Sequence, residues 1–256
     1  RINRRQRQMC IRDRIRGSFW AVFLVGLADF IISFMVVERL WEAIFSPEVK
    51  AFMVKAPERI TYIHFPIILV SFIIGYFTKS VGFIWLAVLV VLSEFVIVLS
   101  RFVFSYEQAF QGDLVRFWYA ALYLFASAYA LIHEGHVRVD VLYSSFSEKK
   151  KAWTNMVGSA LLGVPLCLIV LFLGLNGKAS IINGPVVAFE VTQQGSNGLY
   201  LLYLMAVYLA VFAVTMLLQF TSYFMSSSHK IIFNNIEDQT QSDKPDQVRL
   251  EKVENN

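Results

Sequence analysis

Apolar residues gather in six long blocks along the chain, at residues 18–37, 60–77, 83–104, 117–132, 155–175 and 199–224, separated by short polar stretches. A helix needs about 20 apolar residues to cross the roughly 30 Å hydrocarbon core of a bilayer. Five blocks come close to that length, the 16-residue fourth block can be extended by Leu114 and Val115, and the last block is long enough to tilt or protrude. Lipid offers the backbone no hydrogen-bond partner, so each block is expected to be an α-helix. The pattern predicts an all-α, polytopic membrane protein with about six transmembrane helices. Between the first two blocks, Leu40, Trp41, Ile44 and Phe45 form a short helical stripe ahead of Ser46-Pro47. It reads as a helix lying in the membrane interface.

Composition strengthens this picture. The 256 residues are 57% hydrophobic and 16% charged, with a mean hydropathy of +0.55. A soluble domain usually carries about 25% charge. The excess of apolar residues excludes a soluble enzyme, a disordered scaffold and a secreted disulfide-rich module. Cys10 and Cys167 are too few for a disulfide framework or a cysteine zinc site, and Cys167 reads as a small apolar filler. No basic face suited to nucleic acid is evident. The first block resembles a secretory signal, but Asp29 interrupts it and Glu38-Arg39 follows it in place of a small-x-small cleavage site. It is read as a retained helix.

Lys and Arg set the orientation. With a cytoplasmic N-terminus and six spans, the inner segments 1–17, 78–82, 133–154 and 225–256 carry 7, 1, 4 and 4 of them, against 7 on the outer side. The chain opens on Arg1, and Met9-Cys-Ile-Arg-Asp-Arg14 resembles translated sequencing adapter, so residues 1–17 are read as a basic tail that is in part artefactual. Without them the balance is 9 against 7, and the orientation then rests on Arg138 and Lys149-Lys150-Lys151. Both termini are expected in the cytoplasm. The polar residues 227–256 read as a mobile tail.

Few residues could carry chemistry. Asp29 and Glu94 each sit within a span, where a carboxylate is costly. They are read either as ion- or proton-coupling acids or as protonated or hydrogen-bonded carboxyls at helix interfaces, and the second reading is favoured because one acid per helix is not an ion cage. Four histidines are present. A membrane haem needs two at matched depth, and His64 and His133 lie at opposite ends of their spans. No cofactor and no metal are expected. In the loop after the fourth block, Val139, Leu142, Tyr143 and Phe146 recur at helical spacing, while Arg138 and Asp140 point elsewhere. This is an amphipathic helix near 136–148 lying on the inner membrane surface, with Ser147 capping the next span and Trp153 at headgroup depth.

The same loop, Glu134-Gly-His-Val-Arg-Val-Asp-Val-Leu-Tyr143, resembles the signature of the small, Q-type (DctQ-like) membrane subunit of tripartite ATP-independent periplasmic (TRAP) transporters. Arg101-Phe-Val-Phe104, Asp113, Ser127-Ala-Tyr-Ala-Leu131, Glu148-Lys-Lys-Lys-Ala-Trp153 and Pro165 agree with that family's pattern. Gly112 and Arg116 depart from it around the acidic position. The resemblance covers about residues 83–226, a four-helix core plus the arm helix. Residues 18–82 then supply two extra N-terminal helices, as in the larger Q-type subunits.

The resemblance implies a division of labour in a bacterial inner membrane. A periplasmic binding protein captures the solute, usually an organic acid anion. A large M-type membrane subunit moves it by an elevator motion coupled to sodium. The Q-type subunit braces the static part of that machine, so sodium and substrate sites are expected in the partners. Gly135, His136, Arg138 and Asp140 are then candidate determinants of the arm and the partner interface. Arg101 is an outer headgroup anchor, and Asp113 is a further family position. Membrane lipids are the remaining partner. Two other readings stand beside this one: a haem-carrying or structural anchor of a redox complex, and a self-contained transporter using Asp29 and Glu94.

Overall fold

The computed structural model describes residues 4–78, 83–132, 143, 145–192 and 198–242. Among them the regular elements are all helical. Helix α1, Arg4–Val37, starts upstream of the expected first span. Two short helices follow, α2 at Leu40–Ile44 and α3 at Pro47–Val54. Helix α2 holds the expected stripe residues Leu40, Trp41 and Ile44, with Trp41 buried and its ring 4.5 Å from that of Phe45. Next come α4, Ala56–Arg59, a π-helical turn, Ile60–His64, and α5, Phe65–Phe77, in one continuous rod. Helix α6 is Phe83–Val103 and α7 is Ala109–Ile132. Helix α8, Glu148–Gly158, runs through a second π-turn, Ser159–Gly163, into α9, Val164–Leu175. The short α10 is Asn183–Ala188, and α11 is Leu202–Ser242.

Both π-turns have the same local cause. Each is followed two residues later by a proline, Pro66 and Pro165. A proline inside a helix lacks an N–H and its ring collides with the carbonyl four residues back. Widening the preceding turn accommodates that defect, and the freed groups re-pair at i→i+5. Phe65 N–H donates to the Ile60 carbonyl, and Val164 N–H to that of Ser159. In a membrane such local adjustment is what makes proline tolerable.

Among the described residues, five rods are long and apolar enough to span a bilayer: Arg16–Val37, Ala56–Phe77, Ile84–Val103, Lys149–Leu175 and Leu202–Phe233. The expected sixth, residues 117–132, lies within α7, whose side chains from 128 on fall outside the described residues. Its first half carries Gln111, Asp113 and Arg116, and much of that half is turned into protein, with Phe110, Asp113, Phe117 and Ala121 buried. Two boundaries also differ from expectation. Helix α11 continues to Ser242, well past residue 226, and residues 145–147 form the turn into α8, so any arm helix ends before 145 and not at 148. Ser147 occupies the N-cap position of α8 with extended backbone, but its hydroxyl makes no cap hydrogen bond.

The chain divides into two compact units, 1–127 with 172–212, and 128–171 with 213–256. In the first, α1 shares one core with α7 and the start of α11, built on Val22, Val25, Phe110, Phe117, Leu201 and Tyr208. Edge-on and tilted aromatic pairs fill it, Phe30–Phe110 at 5.2 Å and Phe117–Tyr208 at 5.4 Å between centroids. The Trp118 indole N–H donates to the Val22 carbonyl at 3.3 Å. Helices α1 and α5 approach closely at two glycines, where a Cβ built on Gly75 would lie 2.6 Å from the Gly17 nitrogen. Small residues at such crossings are what allow membrane helices to approach backbone to backbone. In the second unit, Gly163 seats the Phe220 ring, and the Asn155 amide donates to the Tyr143 hydroxyl at 2.8 Å.

The glycine crossing yields a prediction. Gly75→Leu should destabilise the protein by about 1–3 kcal/mol through overpacking. Gly158→Ala, where a Cβ meets nothing within 4 Å, should be neutral or slightly stabilising. Thermal unfolding of both variants in detergent, followed by circular dichroism, checks the contrast.

Candidate functional site

Most of the described buried polar side chains of the first unit form two clusters, both rooted in acids singled out from the sequence. The first is centred on Asp29, which is fully buried on α1. One turn later Ser33 lies on the same helix face. Opposite them, α4 and the first π-turn present Arg59 and His64, both buried. Residues five apart on a regular α-helix point about 140° away from each other. The π-turn's i→i+5 repeat removes most of that divergence and lets both side chains face α1.

The contacts are close. Arg59 Nη2 lies 2.6 Å from Asp29 Oδ1, 2.7 Å from the Asp29 carbonyl and 2.9 Å from Ser33 Oγ. His64 Nε2 lies 3.0 Å from Asp29 Oδ1, and its Nδ1 lies 3.0 Å from the Tyr203 hydroxyl. The Tyr200 N–H donates to Asp29 Oδ2 at 2.8 Å. The Arg59 guanidinium also sits 4.4 Å from the centroid of the Tyr200 ring, whose hydroxyl donates to the Val54 carbonyl at 2.7 Å. Both Asp29 oxygens are thus engaged, and both nitrogens of His64 have partners in this arrangement. Chemically the cluster is a neutralised ion pair with a histidine and a tyrosine attached. It joins α1 and α4–α5 to the start of α11.

The second cluster surrounds Asp113, buried on α7. Thr192 Oγ1 lies 2.6 Å from Asp113 Oδ2 and 2.7 Å from the Leu199 carbonyl, and the Leu199 N–H reaches the same carboxylate oxygen at 3.4 Å. A backbone bond from Thr192 N–H to the Leu199 carbonyl, 2.9 Å, closes the segment. Asp113 therefore fastens the stretch leading into α11 onto α7. Its i+3 neighbour Arg116 is exposed and 3.8 Å away.

The remaining sequence candidates are dispersed. Arg101 is exposed at the end of α6 and pairs with Glu107 at 3.3 Å. Nearby, Tyr106 donates to Glu38 at 2.6 Å, and burial with that carboxylate alongside raises the phenol above its usual value. Glu94 lies exposed midway along α6. Cys167 is buried, consistent with a filler role. Gly135, His136, Arg138 and Asp140 lie outside the described residues, as do His133 and most of the expected arm helix. Asp29 and Asp113 were legible as candidates, whereas Arg59, Tyr200, Tyr203 and Thr192 were not. Matching the end of the first span against the start of the second would have paired Asp29 with Arg59.

A family model described as "Tripartite ATP-independent periplasmic transporters, DctQ component" matches residues 88–225. No curated protein and no solved structure matches the chain. The match begins within α6 and ends within α11. Asp113, Thr192, Tyr200 and Tyr203 fall inside it, while Asp29, Arg59 and His64 fall outside.

Breaking one side of a buried ion pair costs about 3–5 kcal/mol, whereas replacing both partners by apolar groups is often near neutral. Asp29→Leu and Arg59→Met should each destabilise the protein by about that amount, and the double variant should recover most of it. Unfolding free energies of the three variants in detergent check this. Additive losses within about 0.5 kcal/mol would show the two side chains to be uncoupled.

Proposed function

The chain belongs to the DctQ component family of tripartite ATP-independent periplasmic transporters, a family of transport components, and from that premise we propose that it is the small permease subunit of such a transporter. In this reading it sits in a bacterial inner membrane with both termini in the cytoplasm. It braces a large M-type subunit that carries out ion-coupled, elevator-type uptake. The solute is an organic acid or a similar compound delivered by a periplasmic binding protein, and sodium is bound in the large subunit. No chemistry is assigned to the chain itself.

One observation carries the reading: its buried acids are consumed internally. Asp29 is satisfied by Arg59, His64 and the Tyr200 N–H. Asp113 is satisfied by Thr192 and the 199 backbone. A carrier needs charged groups left free to bind and release a solute or ion as it moves. A brace needs charges that lock helices together. Taking either carboxylate out of its cluster would leave a buried charge unpaired, so these groups resist movement. The two clusters both converge on the entry to α11, which fixes the helix that the family region shares with the extra N-terminal segment.

Uptake should require all three components. Proteoliposomes holding this chain alone should show none, those holding the large subunit with its binding protein should gain at least about tenfold on adding this chain, and uptake by the chain alone would overturn the proposal. In the signature loop, Arg138→Glu or Asp140→Lys should weaken association with the large subunit or lower uptake. Neither should alter the binding protein's affinity for its ligand. Pull-down yield, radiolabelled uptake and calorimetric titration of the binding protein measure the three quantities.

A further inference from the structure

Glu94 is the mid-span acid that the internal clusters do not absorb. It occupies the centre of the Ile84–Val103 span, about 15 Å of helix from either end. A glutamate side chain cannot snorkel over that distance. Arg101, two turns further along the same stripe, is about 10 Å away along the axis and pairs instead with Glu107. Among the described residues Glu94 has no hydrogen bond or ion pair, and it is exposed. Its helix is also the least buried of the five spans. Leu86, Leu89 and Ser93 turn toward the unit's own core and the groove beside α1. Val91, Phe95, Val98 and Phe102 turn outward around Glu94, exposed by 67%, 58%, 48% and 78%.

An ionisable group at that depth, left to lipid, is expensive, and such groups almost always pair with another polar group. Asp29 shows how this chain treats an acid it means to satisfy itself, with three donors on one carboxylate. Glu94 has the opposite surroundings, an apolar rim around a single outward carboxylate. We infer that the Val91–Glu94–Val98 face of α6 is the docking surface for a transmembrane helix of the large subunit, and that this helix presents a cationic side chain, Lys or Arg, at mid-depth opposite Glu94. The apolar rim would exclude water and lipid, and the ion pair would fix register. The inference rests on the small-subunit reading above and adds the face, the residue and the chemistry of its partner.

The test uses the full chain co-expressed with the large subunit in membranes. A photo-crosslinking amino acid, p-benzoylphenylalanine, is placed at position 91 or 98, and in controls at 162 or 173, which are exposed on α8–α9. Adducts with the large subunit are expected from 91 and 98 and not from the controls. Glu94→Leu should lower co-purification of the large subunit at least tenfold while leaving the amount of chain in the membrane unchanged, because leucine suits lipid better than glutamate. Glu94→Gln should lower it comparably, since an amide supplies no countercharge. Undiminished co-purification of the Leu variant overturns the inference. So do adducts at the mass of a chain dimer, or complex formation with adducts at the control positions only. Retained complex in the Gln variant overturns the cationic partner. A wild-type chain that captures no large subunit at all overturns the small-subunit reading with it, whereas the other outcomes leave that reading standing.

Discussion

A carboxylate taken out of water in the middle of a helix bundle must find its compensation within a few ångström, and Asp29 finds it in three places at once. Arg59 supplies the countercharge, His64 a ring nitrogen, and Tyr200 a backbone N–H at the entry to α11. Each donor comes from a different local structure: the end of α4, a proline-induced π-turn, and the turn before a long helix. None of these can shift far without stranding a buried charge, so the ion pair fixes the relative placement of α1, α4–α5 and α11. Apolar packing is less particular. Membrane helices lack a strong hydrophobic reason to prefer one neighbour over another, because lipid is as apolar as a leucine face. In this unit, direction comes from polar contacts and from close crossings such as Gly17–Gly75.

The ion pair also gives the N-terminal helices a place in the protein. They precede the family region, which begins within α6. Yet Val22 and Val25 of α1 lie in the same core as Phe117 and Leu201, and His64 reaches Tyr203 across 139 positions of sequence. Asp113 does the same work from inside the family region, tying α7 to the 192–199 segment. Two acids on two helices therefore grip opposite sides of one short stretch of backbone ahead of α11. The stretch is thereby held by charge and by hydrogen bonds from both directions.

Much of this was visible in the sequence, for identifiable reasons. Apolar blocks translate directly into spans because the bilayer core sets a length, and the signature loop carries a motif. Asp29, Glu94 and Asp113 stood out because acids are rare in such blocks. Their partners did not stand out. Arg59 sits one residue before the apolar block at 60–77 and counts as an outer-loop cation until the helix is seen to begin at Ala56. His64 is brought alongside it only because Pro66 forces a π-turn, which hydrophobic periodicity does not register. Thr192, Tyr200 and Tyr203 are ordinary residues whose importance comes from long-range pairing.

Charge placement in this chain separates what is settled internally from what faces outward. In water, surface charge says little about partners because solvent satisfies it at small cost. In a bilayer the same reasoning reverses. A charge with an internal partner closes a contact within the chain, as Asp29 and Asp113 do, and a charge without one marks a surface whose solvent is something other than lipid. Glu94 meets that second description on a helix with little intrachain burial. Whatever the solute, the low dielectric of the membrane and the short reach of a glutamate side chain impose this requirement. Under the proposed reading, the sites that select and move cargo lie in another polypeptide, and Glu94 is the charge this chain brings to the contact.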